Sequence, residues 1–453
     1  FPCLVDMKFK GVKIDVEKTK EFGKFLERRK HRLLQIIKNK TGIDVNIWAA
    51  ASIKKLLEHL KVTDYEQTPK SKMPKLPKNY LQTHNNPLLR LIAKARECEK
   101  ANNAFVEGLL SFVHNGRIHA DINQIRSDQG GTVTGRFSMS NPNLQQIPAR
   151  GWIGKKMRQI FIPEDNHIWA SFDYSQQEPR IVVHYAIKLL KNNPELTQEN
   201  RQKEHRDKFK QKIINSISKM EKFYKQNPDA DFHQLVADMA KIPRFQAKTI
   251  NLGMFYGMGK MKLQKELNLN KEEAKDLFDK YHAEVPFVKK LSEELIEFAK
   301  DNELLFTLGD RFCRFDKWET TDKKWNNKIG RFNPVPLLTK DQAKTAYKAE
   351  LLEENQSDDP DYKNILYYYA PAFTYKALNR LIQGSAADMT KTAMVHLYEQ
   401  GILPHIQIHD ELCISVKDDI EISKIKNIME SALPLKIKNK VTCKKGNSWG
   451  SAK

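Results

Sequence analysis

The chain has 453 residues, 40% of them apolar, and a formal net charge of +21. That length holds two to four lobes at about 100–200 residues each, and that apolar share is enough to bury substantial cores, so the chain need not be disordered. The charge favours a polyanionic partner, nucleic acid or an acidic membrane surface, and by itself does not separate these from a merely solvated basic surface. The five cysteines Cys3, Cys98, Cys313, Cys413 and Cys443 form no C-x-x-C pair, which argues against zinc or a disulfide framework and suits a reducing, cytoplasmic compartment. No apolar run approaches the roughly 20 residues that span a bilayer, and Phe1-Pro2-Cys3 opens no signal peptide. The missing Met points to a chain cut from something longer.

In chain order, apolar positions at helical spacing (Phe22, Phe25, Leu26, Leu33, Ile36) predict a basic amphipathic helix over 16–40, and a second helix follows over 47–60. Three prolines in 68–77 remove donors and disfavour helix, which predicts an exposed basic loop. Residues 88–112 again read as helix. At Asn115-Gly116 the texture changes, and alternation over 117–122 predicts a half-buried strand. A second strand over 168–172 leads into Asp173. Helices dominate from 176 to 300, with a Lys-rich inserted helical hairpin expected over 191–226 and surface decoration its plainest role. A helix over 373–400 and a hairpin over 405–416 close the chain. The whole reads as α+β, with strands far apart in sequence and helical lobes attached.

Chemistry concentrates at three places. Asp173 ends an apolar strand just before a helix start, where Ser175 is the N-cap expected from its type and Pro179 falls in the first turn. Such a carboxylate is well held for a metal, although a strand-end Asp is often only a turn residue. In Ile406-Gln407-Ile408-His409-Asp410-Glu411-Leu412 the alternation breaks at His409-Asp410 and then resumes, as at a hairpin turn. If that hairpin lies beside the Asp173 strand, its carboxylates converge on a site for two divalent ions. Third, Arg244, Lys248, Leu252 and Tyr256 are spaced four apart and form one row along a helix. Cations followed by an apolar and an aromatic group suit a triphosphate and its nucleoside; a solvated face with a core Leu and Tyr is the ordinary alternative.

Asp173-Tyr174-Ser175-Gln176 with Glu178 and Arg180, then Arg244, Lys248 and Tyr256-Gly257, then His409-Asp410-Glu411 resemble the polymerase motifs of family A DNA polymerases. Thr134-Gly135-Arg136-Phe137-Ser138, Pro142-Asn143-Leu144-Gln145-Gln146-Ile147-Pro148 and Gln383-Gly384-Ser385-Ala386-Ala387-Asp388 extend the likeness in the same order. It implies a right-hand polymerase fold: 1–25 the start of the palm, 26–114 the thumb, 115–190 and 371–453 the palm, 191–370 the fingers. It implies a DNA-directed DNA polymerase working with two Mg²⁺ ions, for which Mn²⁺ can substitute. Asp173, Asp410 and the carbonyl of Tyr174 would hold the metals, with Glu411 an accessory acid. Arg244, Lys248 and His233 would meet the triphosphate, Lys248 also protonating the departing pyrophosphate. Gln176, Leu252, Tyr256 and Glu178 would surround the nucleoside, Glu178 excluding a ribose 2′-hydroxyl. Arg136, Gln145, Arg150, Asn379, Gln383, Gln407 and His409 would contact the DNA.

The implied partners are primer–template DNA, dNTPs and replisome proteins such as a processivity factor, with no membrane and a monomeric chain. The flavour of 375–389 favours a phage or phage-derived replicase acting in a host cytoplasm. No proofreading carboxylate set is visible, so no 3′→5′ exonuclease activity is expected of this chain. Three departures stand out: Leu252 where most relatives carry Phe or Tyr, Tyr375 where bacterial relatives carry Arg, and a long 191–226 stretch. The competing readings are a single-subunit RNA polymerase, a non-catalytic DNA-binding remnant and a metal nuclease.

Overall fold

The computed structural model describes residues 2–125, 132–191, 203–326, 331–353 and 362–452. At its centre lies a four-stranded antiparallel sheet in the order Ile406–Ile408, Glu411–Val416, Ile168–Tyr174, Val441–Gly446. The strand Ile168–Tyr174 is interior and covered on both faces, which explains its nearly continuous apolar run. The period of two still sorts its side chains. Ala170, Phe172 and Tyr174 pack with Leu412 and Ile414 against the helices Ala377–Glu399 and Asp419–Ser431, through Ile382, Met389, Ile425 and Met429. Trp169 and Cys413 face the other way, onto Phe161, Ile153, Met157 and Trp449.

The N-terminal region is helical as expected, with a long helix at Val16–Thr41. Asp15 caps it by accepting from the Lys18 N–H, and Gly42 ends it in the left-handed region. Leu33 and Ile37 of this helix join Ile53, Leu56, Leu57, Leu89 and Ile92 in a core of their own. Phe25 and Ile36, read as part of the apolar stripe, are exposed at 41% and 37%. The stretch 68–77 is not wholly loop, because Glu66–Gln67 and Pro74–Lys75 pair as a short ribbon closed by a Lys75–Glu66 ion pair. The helix expected over 88–112 runs Pro87–Ala101 and then widens into a π-helix at Asn102–Glu107. The strand expected over 117–122 is broken into Arg117–Ile118, which pairs with Val12–Lys13 and Val113–His114, and Asp121–Asn123, which pairs with Ser138–Ser140.

Of the Lys-rich stretch, the helix Lys203–Gln226 is seen, while 192–202, where the other arm of the expected hairpin falls, lie outside the described residues. This helix is not surface decoration. Ile213, Ile217, Met220 and Tyr224, spaced by three and four, are all buried in the main core. Beyond Asn302 come short strands that periodicity did not announce, including the hairpin Leu304–Phe306 with Phe312–Arg314. A small separate core there gathers Trp318, Ala343, Tyr347, Ile365 and Tyr369. Among the described residues, no helix is long and apolar enough to cross a membrane.

Candidate active site

The sheet register fixes the carboxylates. Asp173 lies directly opposite Glu411 on one side and Thr442 on the other, and the Tyr174 N–H donates to the Asp410 carbonyl at 3.4 Å. The hairpin turns through His409, whose φ of 55° is left-handed, and Gln407 Nε2 donates to the His409 carbonyl at 2.5 Å. Asp173 and Asp410 are both held above the usual carboxylate range. For Asp173, the loss of hydration around the carboxylate comes first, then the charges of Asp410 and Glu411; for Asp410, burial comes first and Glu178 and Glu411 add to it. Repulsion between two carboxylates acts on both alike. Asp173 is nonetheless open to solvent at the strand end, so a cation can reach it. Glu411 Oε1 is held by the Trp449 indole N–H at 3.3 Å.

The helix Arg244–Phe255 presents the expected row. Arg244 and Lys248 are exposed, Leu252 and Tyr256 half-buried. Arg244 Nε donates to Asp231 Oδ2 at 2.7 Å, and Asp231 also caps the helix Phe232–Ala240. Burial alone would raise Asp231, but Arg244 and the N–H groups of Gln234 and His233 hold its carboxyl below the ordinary value. The Lys248 charge is close enough to Asp173 to oppose, slightly, the rise of its pKa. Glu178 is held at both oxygens: Arg136 Nη2 donates to its Oε1 at 2.7 Å and the Tyr256 hydroxyl to its Oε2 at 2.6 Å. Gln383 in turn bonds the Tyr256 hydroxyl.

The model of DNA polymerase family A matches residues 16–451. The chain belongs to DNA polymerase family A. It is 30% identical to a DNA-directed DNA polymerase of Pseudomonas phage M6, over 99% of this chain and 64% of that protein. It is 27% identical to DNA polymerase I of Caldicellulosiruptor bescii, over 100% of this chain and 46% of that one. The chain therefore spans between about half and two thirds of the length of these relatives. In structure it resembles the POL domain of Pol1 from M. smegmatis with a TM-score of 0.68 and 23% identity, covering 100% of this chain and 69% of that chain. The α+β, right-hand polymerase fold expected from the sequence is the fold of this family A chain.

Several expected site residues have more specific placements than their types foretold. Ser175 is not the N-cap of the helix Gln177–Tyr185; Gln176 stands there at φ 53°, ψ 47°. Its side chain is occupied elsewhere, accepting from the Phe232 N–H at 2.7 Å and donating to the Ala230 carbonyl at 3.1 Å. His233 is buried with Nδ1 3.0 Å from the Asn251 amide, and burial pushes its pKa down to about 4, so the ring is neutral near pH 7. The Tyr174 ring is buried with its hydroxyl on the Met429 carbonyl, which leaves its main chain at the strand end. Gln145 Nε2 donates to the carbonyl of Gln407 at 3.1 Å, supporting the turn. Asn379 and Gln383 are half-buried one turn apart on Ala377–Glu399, and Arg150 is exposed just before Gly151–Arg158.

Family A polymerases generally use divalent metals, and the donors here fit such ions. Among the described residues, no group of three or more His, Cys, Asp or Glu side chains forms a metal cage. Mg²⁺ needs none, because it keeps several waters and takes one or two carboxylates together with substrate phosphates. Asp173 at its solvent-facing strand end and Asp410 in the neighbouring turn, which repel each other, supply that donor set.

Sequence reasoning missed the braces of the site. Arg311 joins Asp388 at 2.9 Å, the Thr134 carbonyl at 2.9 Å and the Gly384 carbonyl at 3.0 Å, tying the 304–314 hairpin to the loop that carries Arg136. Gly135 has φ 79°, and a Cβ there would lie 2.5 Å from that guanidinium. The signal was present, since Gly135 and Asp388 both sit in the family-like motifs, but their partner lies far off in sequence.

Proposed function

We propose that this chain is a DNA-directed DNA polymerase that extends a primer 3′-hydroxyl with deoxynucleotides by two-metal phosphoryl transfer. The observation that carries the reading is the pairing of the Asp173 strand with the Asp410 hairpin, within electrostatic reach of Lys248. In support, the M. smegmatis POL domain was solved in complex with DNA primer–template and dNTP. The relatives from Pseudomonas and Acinetobacter phages, named as DNA polymerases, favour phage or phage-derived replication. In this reading 26–114 form the thumb, 191–370 the fingers, and 1–25, 115–190 and 371–453 the palm.

Two Mg²⁺ ions, held by Asp173, Asp410 and the Tyr174 carbonyl, would lower the pKa of the primer hydroxyl and neutralise phosphoryl charge. The chain's own residues position the reactants. Arg244 leaves its exposed pair with Asp231 for the triphosphate, an exchange that costs little because such pairs are worth about 0–1 kcal/mol. Lys248 meets the same phosphates and supplies a proton to the leaving pyrophosphate. Glu178, gripped at both oxygens, cannot swing aside and occupies the wall against which a 2′-hydroxyl would project. Arg136, Gln383 and Asn379 face the minor-groove edge, where acceptors recur in every correct pair. The basic region 70–78 follows phosphates of the duplex.

A single-subunit RNA polymerase is the second reading, and the clamped Glu178 disfavours it. Primer extension with Mg²⁺ and either dNTPs or NTPs tests the choice, beside Asp173→Asn and Asp410→Asn. Template-dependent extension with dNTPs, lost in both variants, is expected. Comparable use of NTPs would give the RNA polymerase reading, and no extension by folded, DNA-binding protein would leave a binding remnant.

A further inference from the structure

A polar cavity of about 260 Å³ adjoins the carboxylates, lined by Lys155, Arg158 and Lys444 together with Asp173, Glu411 and Trp449. Its cations come from two elements that the polymerase motifs do not include: the helix Gly151–Arg158 and the strand Val441–Gly446. Lys444 is paired in register with Ser171, so it points to the same face as Asp173 one step along the strand. Arg158 is fixed, with its guanidinium 4.0 Å over the Trp449 ring and its Nε donating to the Pro148 carbonyl at 3.3 Å. The floor is rigid as well, since a Cβ at Gly450 would come 2.5 Å from the Lys155 carbonyl. Among the described residues, neither Lys155 nor Lys444 forms an ion pair, whereas the adjacent Lys445 pairs with Asp419.

Three cations against two carboxylates leave this cavity positive before any divalent ion is bound, and metal at Asp173 would make it more so. Water fills about 30 Å³ per molecule, so a phosphate group fits with its hydration. We propose that the Lys155–Arg158–Lys444 cavity is a phosphate subsite beside the metal carboxylates, a conclusion that rests on the polymerase reading. Two phosphates come this close during the reaction: the phosphodiester one nucleotide behind the primer 3′-hydroxyl, and pyrophosphate. The phosphodiester is the favoured occupant, because Arg244 and Lys248 already serve the triphosphate and because a 3′-hydroxyl at Asp173 brings its own last phosphate with it.

The test uses the full chain, a primer–template carrying a neutral methylphosphonate at the last primer linkage, and the double variant Lys155→Gln/Lys444→Gln. Both lysines are exposed, so the fold should survive, and the methylphosphonate probes the same contact in unaltered protein. Replacing lysines that meet phosphate lowers the salt slope of binding by about 1 each. The expected result is a slope reduced by about 1–2 in the variant, weaker binding of the methylphosphonate primer by the wild type, and no further weakening in the variant. If primer binding is unchanged but the variant's KM for pyrophosphate in the reverse reaction rises severalfold, the subsite is upheld with pyrophosphate as occupant. A wild-type slope, an equal methylphosphonate loss in both proteins and an unaltered pyrophosphate KM would overturn it. Failure of the polymerase reading shows separately, as absence of templated extension by the wild type.

Discussion

The strand that carries Asp173 and the helix that carries Arg244 and Lys248 bring opposite charges to one cleft, and they are held by different means. Asp173 is fixed by main-chain pairing on both sides, in a strand whose other residues are almost all buried. The cations project from an exposed helix face, and Arg244 is restrained by a single carboxylate. Backbone ladders give the carboxylates one geometry whether or not a ligand is present, while exposed side-chain pairs can be exchanged for a phosphate at small cost. The carboxylate side is therefore preorganised and the cation side adaptable.

The sharpest way to break that contrast is to remove charge from the rigid side. Asp173→Asn or Asp410→Asn should cut single-turnover extension by more than about 10³-fold without loss of fold, measured by rapid quench beside circular dichroism; a loss below tenfold would show that the carboxylates are not where metal is held. Next comes the adaptable side. Lys248→Ala should lower kcat by about 10²-fold, while Arg244→Ala should act mainly on the KM for dNTP. Glu178→Ala should shrink the preference for dNTP over NTP by roughly tenfold or more, read from competing incorporation, because it opens the wall that Arg136 and Tyr256 hold closed.

A smaller effect concerns stability. Asp173 and Asp410 have folded-state pKa values raised above the ordinary 3.8, so the folded chain holds their protons more tightly than the unfolded chain does. Without metal, their contribution to stability is therefore lost as pH rises from the ordinary carboxylate range into neutrality. In EDTA, the Tm should fall more between about pH 5 and 8 for wild type than for Asp173→Asn, and Mg²⁺ should remove the difference. A parallel pH dependence in the two proteins would argue against strained carboxylates. Smallest is Leu252→Phe, which should change dideoxynucleotide use by only a few fold, about 1 kcal/mol or less; an unchanged ratio would remove Leu252 from the sugar contacts.

What the sequence made legible follows the same division. The apolar run Ile168–Phe172 announced a strand, the break at His409-Asp410 a turn, and the four-residue spacing from Arg244 to Tyr256 a helix face, because each is a local pattern. The unread parts are tertiary. Gln176 displaces Ser175 from the cap position because its side chain reaches Phe232 and Ala230, which no local rule reveals. The Asp231–Arg244 and Arg311–Asp388 pairs join residues from separate elements. The strands around 304–332 have only two or three residues each, too few to show a period. The helix Lys203–Gln226 looked like surface because its lysines outnumber the few residues that bury its inner face.

The most direct measurement is single-nucleotide incorporation on four primed templates that differ only in the templating base, with each dNTP supplied alone and Mg²⁺ present. The account predicts incorporation of the complementary dNTP on every template, lost in Asp410→Asn. Addition that ignores the templating base, or that survives Asp410→Asn, would contradict it.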